Sequence, residues 1–249
     1  MRRIKLIVAY DGTNYCGWQV QPNGITIEGV LNRELSKLLK EDIVVIGASR
    51  TDSGVHSYGN VAVFDTNARM PAEKISYALN QRLPDDIVVQ NSSEIPLDWH
   101  PRHCNSRKTY EYRILNREFP MPQRRLDTWF VYRKLNIPAM CEAAEQFEGT
   151  HDFKSFCSVN TAVEDTTRTI YSCELKQDGE LLTIRITGSG FLYNMVRAMV
   201  GTCVYAAEGK LSPEDIPAIL ASGNRTLAGP TVPPGGLYMT QLWYDEDVL

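Results

Sequence analysis

The stretch Ile43–Asp65, IVVIGASRTDSGVHSYGNVAVFD, holds two β-branched runs, Ile43–Gly47 and Asn60–Asp65, separated by a polar loop that carries glycines. Short Val/Ile-rich runs bounded by Gly, Ser and Asp predict two strands flanking a loop. Thr26–Glu41, on the N-terminal side, sets Ile27, Val30, Leu31, Leu35, Leu38 and Leu39 at helical spacing behind Thr26, a capping residue. Pro71–Leu83, on the C-terminal side, opens with proline, which suits a first helical turn. Ile4–Tyr10 and Asp86–Ile95 supply outer strands. The predicted order is β-α-β-β-α-β, the split unit of ferredoxin-like folds.

The second half nearly repeats this order. Thr109–Leu115 predicts a strand, Thr128–Lys134 an added one and Pro138–Gly149 a helix. RTIYSCELKQ (168–177) and ELLTIRITG (180–188) form a hairpin across Asp178-Gly179, a strong turn pair. Residues 190–209, GFLYNMVRAMVGTCVYAAEG, predict a long buried helix stopped by Gly209, followed by a short helix at Ser212–Ser222 and a closing strand at Leu237–Tyr244. The expectation is α+β, with two ferredoxin-like halves, 1–104 and 105–249, largely antiparallel mixed sheets and a cleft between them, where pockets tend to form.

The chain of 249 residues is 43% hydrophobic and 22% charged, as in globular proteins. No secretory leader opens it, the apolar span 191–207 is short for a membrane crossing, and the six cysteines are scattered without a C-x-x-C pair. These features predict a cytoplasmic protein with reduced thiols and no membrane partner. Net charge is −4, yet Trp99–Lys134 carries nine Lys and Arg against three Asp and Glu. A basic middle in an acidic chain fits either a focused binding cleft or a solvated face. His100, His103 and Cys104 have a spacing that matches no standard metal ligand set, so no metal is expected.

The central loop raises the chemical question. Asp52 stands between Arg50 and His56, and an Asp beside glycine ordinarily caps its own turn. A neighbouring cation favours an ionised carboxylate. Arg197 is the only charge within 191–207, and a charge on an apolar helix must reach water or meet an anion. A carboxylate from the other half would meet that need.

Six blocks, in order, resemble the tRNA pseudouridine synthase A family from end to end: YDGTNYCGWQVQP (10–22), GASRTDSGVHS (47–57), KTYEYRI (108–114), HDFKSF (151–156), GSGFLYNMVRAMVG (188–201) and VPPGGLYM (232–239). The resemblance implies an isomerase that detaches a uracil from C1′ of its ribose, turns it and rejoins it through carbon, without a cofactor. It implies tRNA as partner, with uridines 38, 39 and 40 of the anticodon arm as targets, and a homodimer. By the same resemblance Asp52 is the catalytic carboxylate, attacking sugar or base or removing a sugar proton, and Arg197 is its ionic partner. Tyr110 stacks on the flipped base and helps move the C5 proton, although on its residues alone it reads equally as a packed strand aromatic. Base flipping requires such a receiving surface. Arg50 fills the space the base leaves or contacts phosphate. Arg102, Lys108 and His56 are placed with it in substrate binding, and Arg107, Arg113, Arg124 and Arg125 are further candidates for backbone contacts. The sequence departs from the family at Ser49 and Ser53, usual Gly and Ala positions; both are small, so the turn is expected to survive, with strain of a glycine-type backbone angle at Ser49 as the alternative. Pro101 and His103 also depart, in the block WHPRHC.

Two other readings stand beside this one. Thr51–Gly54, TDSG, resembles the loop of aspartic proteases, which share a proton between two aspartates, but no second such loop occurs. A non-catalytic RNA-binding module would carry a basic-aromatic stacking signature, which is absent.

Overall fold

A computed structural model describes residues 1–158 and 163–244. In chain order the elements are β1 (Arg2–Tyr10), α1 (Ile27–Leu39), β2 (Ile46–Gly47), β3 (His56–Thr66), α2 (Ala72–Asn80), β4 (Ile87–Ile95), β5 (Ser106–Asn116), β6 (Trp129–Val131), α3 (Ile137–Glu145), β7 (Gly149–Asp152), β8 (Thr167–Asp178), β9 (Leu181–Gly188), α4 (Met195–Ala207), α5 (Ile216–Ser222) and β10 (Leu237–Tyr244), with short 3-10 turns between some of them. The fold is α+β, and most strand pairs are antiparallel. Contacts divide the chain into two compact units, Met1–Ser106 with Tyr238–Leu249, and Arg107–Leu237.

In the first unit β1 is central, antiparallel to β3 (Ile4↔Phe64, Leu6↔Ala62) and to β4 (Ile4↔Glu94, Leu6↔Ser92). Period-2 alternation sends Ile4, Leu6 and Val8 to one face, where they meet Leu31 and Leu35 of α1 and Ile75 and Leu79 of α2 in one core. Each fully buried aliphatic side chain contributes roughly 1.5–3 kcal/mol, so this face decides the register. Thr26 caps α1 by accepting the Gly29 amide hydrogen, as its position predicts, and Lys40 ends the helix in the left-handed region at φ 59°. The closing strand β10 runs parallel to β3, with Tyr238 opposite His56 and Met239 opposite Ser57.

Ile43–Gly47 forms a strand only at Ile46–Gly47, which pairs with Val63 and Ala62. The Ile43 amide instead donates to Ser36 Oγ (2.9 Å) and the Val45 amide to Asn32 Oδ1 (2.8 Å), so polar side chains of α1 satisfy groups that a ladder would otherwise use.

In the second unit the antiparallel order is β5-β9-β8-β7, and β6 lies parallel to β5. Tyr112 and Ile114 of β5, Ile184 and Ile186 of β9, and Met199 and Cys203 of α4 are buried, with α3 packed on α4 and β8. The predicted helix over 190–209 begins only at Met195. Asn194 sits at φ 62°, which a right-handed helix cannot include, and it becomes the residue that precedes the first turn. Gly209, at φ +70°, follows the helix end as predicted. β7 carries no alternating apolar pattern and was not predicted.

Candidate functional site

The Asp52 loop is held by a second segment of the first unit, residues 10–18. The Trp18 amide donates to the Thr51 carbonyl (3.0 Å), and the Gly54 amide (3.2 Å) and the Ser53 hydroxyl (3.2 Å) both donate to the Tyr15 carbonyl. The Tyr10 and Thr51 hydroxyls are hydrogen-bonded at 2.8 Å. Two glycines make this approach possible. A Cβ on Gly12 would come within 2.0 Å of the Val55 carbonyl oxygen, and one on Gly17, at φ +81°, within 2.6 Å of the Thr51 carbonyl oxygen. The backbone on both sides of Asp52 is therefore tied down, and the half-buried carboxylate stands on a fixed support. The sequence signal for this clamp is the pair of glycines five residues apart in YDGTNYCGW.

Ser49 does not strain the backbone, since the only non-glycine residues with positive φ among those described are Lys40 and Asn194. Its amide donates to Asn60 Oδ1 (3.2 Å), and its carbonyl accepts from Asn60 Nδ2 (2.9 Å). Its buried hydroxyl has no hydrogen-bond partner.

His56 is placed inside the framework of the loop. It is 3% exposed, and its ring stacks on Tyr238 with centroids 4.5 Å apart. Nδ1 lies 3.2 Å from the Gly12 amide and 3.1 Å from Asp11 Oδ1. Burial acts to raise the Asp11 carboxyl, but hydrogen bonds from the Thr13 hydroxyl and amide, with His56 alongside, hold it below the usual carboxylate range. Arg50 is exposed, and it lines a small hollow together with Arg102.

The remaining predicted residues lie in the second unit. Tyr110 is 9% exposed and meets Phe191 edge-on with centroids 5.0 Å apart. Lys108, half-buried, precedes it on β5 opposite Gly188. Arg197 stands in the first turn of α4. Its Nε donates to the Val232 carbonyl (2.7 Å) and its Nη1 to Asn194 Oδ1 (2.7 Å). These two neutral groups fix the direction of the guanidinium. Asn194 and Val232 escaped the sequence reading, although both fall in the blocks that carried the resemblance. Tyr112 donates to the Pro233 carbonyl (2.7 Å); burial pushes its phenol up, while the nearby Arg197 pulls the other way.

The other predicted backbone-contact residues are engaged within the unit. Arg113 faces Glu111 at 3.6 Å, Arg124 holds Asp127 at 2.8 Å, Arg125 donates to the Pro122 carbonyl at 3.2 Å, and Arg107 lies over the Tyr171 ring at 5.0 Å. His100 and His103 stack on each other, and among the described residues no group of three His, Cys, Asp or Glu could hold a metal ion. All six cysteines are free thiols, and no described helix is long and apolar enough to cross a membrane.

A family described as tRNA pseudouridine synthase matches residues 6–103 and 143–245. The chain is similar to tRNA pseudouridine synthase A of Ruminiclostridium cellulolyticum, with 46% identity over 98% of this chain and 100% of that protein. It is also similar to the enzyme of that name from Citrifermentans bemidjiense, with 47% identity over 99% of each chain. The Geobacillus kaustophilus protein of the same name is 46% identical over 100% of this chain and 96% of its own. Among solved structures, a Cbf5-Nop10-Gar1 complex gives a TM-score of 0.36 at 15% identity, over 81% of this chain and 44% of that one, a likeness too distant to bear on the fold.

Proposed function

The chain belongs to the tRNA pseudouridine synthase family and isomerises uridine to pseudouridine in tRNA, and on that premise we propose that Asp52 is its catalytic carboxylate and uridines 38, 39 and 40 of the anticodon arm its targets. The observation that carries the reading is the Asp52 loop itself: an acidic side chain on a backbone fixed from both sides, inside the first matched span. A carboxylate that acts beside a sugar has to be ionised and accurately aimed, and a rigid support supplies the aim.

The reaction breaks the N1–C1′ bond and makes a C5–C1′ bond; the C5 proton leaves and N1 regains one. Asp52 acts on the sugar or the base in the first step. Arg197, whose guanidinium is aimed by the Val232 carbonyl and Asn194, is our candidate for the cation that keeps Asp52 ionised. Tyr110 receives the flipped uracil and assists loss of the C5 proton. Arg50, Arg102 and Lys108 bind the RNA, and the buried, stacked His56 contributes by holding the loop.

Two ferredoxin-like halves remain our reading of the architecture. In the first unit the order β4-β1-β3, with β2 on β3, supports it; in the second, β5-β9-β8-β7 supports a related plan. We place the enzyme in the cytoplasm as a homodimer, in keeping with a tRNA substrate. The test is incubation with unmodified tRNA and sequencing for pseudouridine at 38–40, with Asp52→Asn and Arg197→Met in parallel. Both variants should bind tRNA and lose turnover. Wild-type-like turnover in Asp52→Asn would remove its assignment, and a normal rate in Arg197→Met would remove the ionic partnership.

A further inference from the structure

We propose that Arg50 and Arg102 together hold one backbone phosphate of the RNA in the hollow beside the Asp52 loop, an inference that rests on the tRNA reading above. The hollow measures about 160 Å³ and is lined by Trp18, Glu28, Arg50 and Arg102, with the Val44–Gly47 segment as its wall. That volume is the share of about five waters at ~30 Å³ each, and it falls well short of the ~300 Å³ at which small-molecule pockets begin. It suits a single group, not a whole nucleotide.

The charges select an anionic group. Neither guanidinium forms an ion pair or hydrogen bond among the described residues. Arg3, Arg33, Arg124 and Arg133, by contrast, hold carboxylates at 2.7, 2.7, 2.8 and 2.9 Å. The Arg102 pKa is lowered first by burial and then by the charge of Arg50, so the two cations feel each other. Like charges held close are costly, and an anion between them turns repulsion into two attractions. Guanidinium forks match phosphate oxygens two at a time. Glu28, the carboxylate in the wall, exerts a weaker opposite pull on Arg102, and its Oε2 already accepts the Val20 amide hydrogen at 2.8 Å.

The position gives such a contact a purpose. Trp18 lines the hollow, and its amide is bonded to the carbonyl of Thr51, between Arg50 and Asp52. A phosphate gripped there is fixed relative to the carboxylate. Such contacts set register and carry no sequence information, which fits an enzyme that accepts several neighbouring uridines.

The experiment measures tRNA affinity against salt concentration, with kcat and KM, for the wild type, Arg50→Gln, Arg102→Gln, Arg102→Lys, Arg50→Gln/Arg102→Gln and Arg133→Gln, the last an exposed arginine paired with Glu208. Arg102→Gln should weaken binding about tenfold and make the slope of log affinity against log salt shallower by about 0.9, with the loss falling on KM. Arg102→Lys keeps the charge but loses the fork, so it should retain the slope and part of the affinity. Two arginines on one phosphate predict a double variant weaker than either single one but short of the product of their separate losses. The proposal is overturned if Arg102→Gln lies on the wild-type line, if Arg133→Gln lowers the slope equally, or if the double variant is fully additive. A wild-type protein that forms no pseudouridine would sink the tRNA reading. An active wild type with an indifferent Arg102→Gln sinks only the shared phosphate.

Discussion

Two turns in this protein rely on glycine, and they do so for opposite reasons. At the β8–β9 hairpin, Gly179 has φ +57° and nothing lies within 4 Å of the place its Cβ would occupy. Its lack of a side chain serves the backbone angle alone. At the Asp52 loop, Gly12 and Gly17 face the backbone of Val55 and Thr51 at distances that leave no room for a methyl group. There the missing Cβ lets one chain segment grip another. The hairpin turn connects two strands; the gripped loop is a mount for the carboxylate we propose as catalytic.

That contrast can be broken or sharpened by substitution. The largest effect belongs to the mounted group itself. Asp52→Asn should lower turnover by roughly a thousandfold or more, measured in single-turnover assays, while tRNA binding and the thermal midpoint stay near wild type. Gly12→Ala comes next. The obstructing atom is a backbone carbonyl that cannot swing aside, so a loss of about 3 kcal/mol in urea unfolding is expected, with activity falling alongside. Gly17→Ala should cost about 2 kcal/mol from its left-handed angle and its crowding. Wild-type stability in both would mean that the grip is slack. Ser49→Ala works in the opposite direction. Removing a buried hydroxyl without a partner should stabilise the protein by about 1 kcal/mol, read as a raised urea midpoint with unchanged slope. Gly179→Asn should be the mildest, within about 1 kcal/mol, because Asn tolerates the left-handed region and meets open space. A hairpin variant as damaging as Gly12→Ala would erase the distinction.

The sequence announces elements whose stability is local or periodic. β1, α1, β4, the β8–β9 hairpin and β10 all follow from alternation, helical spacing, a threonine cap or an Asp-Gly turn. It stays silent where a distant side chain decides. β2 is short because Ser36 and Asn32 reach across from α1 to take the amides of Ile43 and Val45, and α4 starts late because one asparagine, Asn194, adopts a left-handed angle. The candidate site divides in the same way. Asp52, Tyr110 and Arg197 stand out through blocks of recognisable sequence. The clamp on the Asp52 loop does not, because it depends on distances between segments about forty residues apart in the chain, and those distances exist only after β1 and β3 have paired. His56 shows the limit of reading by proximity in sequence: four residues from Asp52, it is turned inward against Tyr238.

The parallel pairing of β10 with β3 has a consequence for the order in which the molecule is made. The unit that emerges first from the ribosome is the one completed last, since Tyr238 must arrive to cover His56 and Tyr244 to pack against Trp99. Until then the newborn N-terminal portion keeps an open strand edge beneath the loop that bears Asp52, so a chain cut short before residue 238 carries the acidic residue without its finished seat. The carboxylate we propose as catalytic thus gains its finished seat only after β10 has been made.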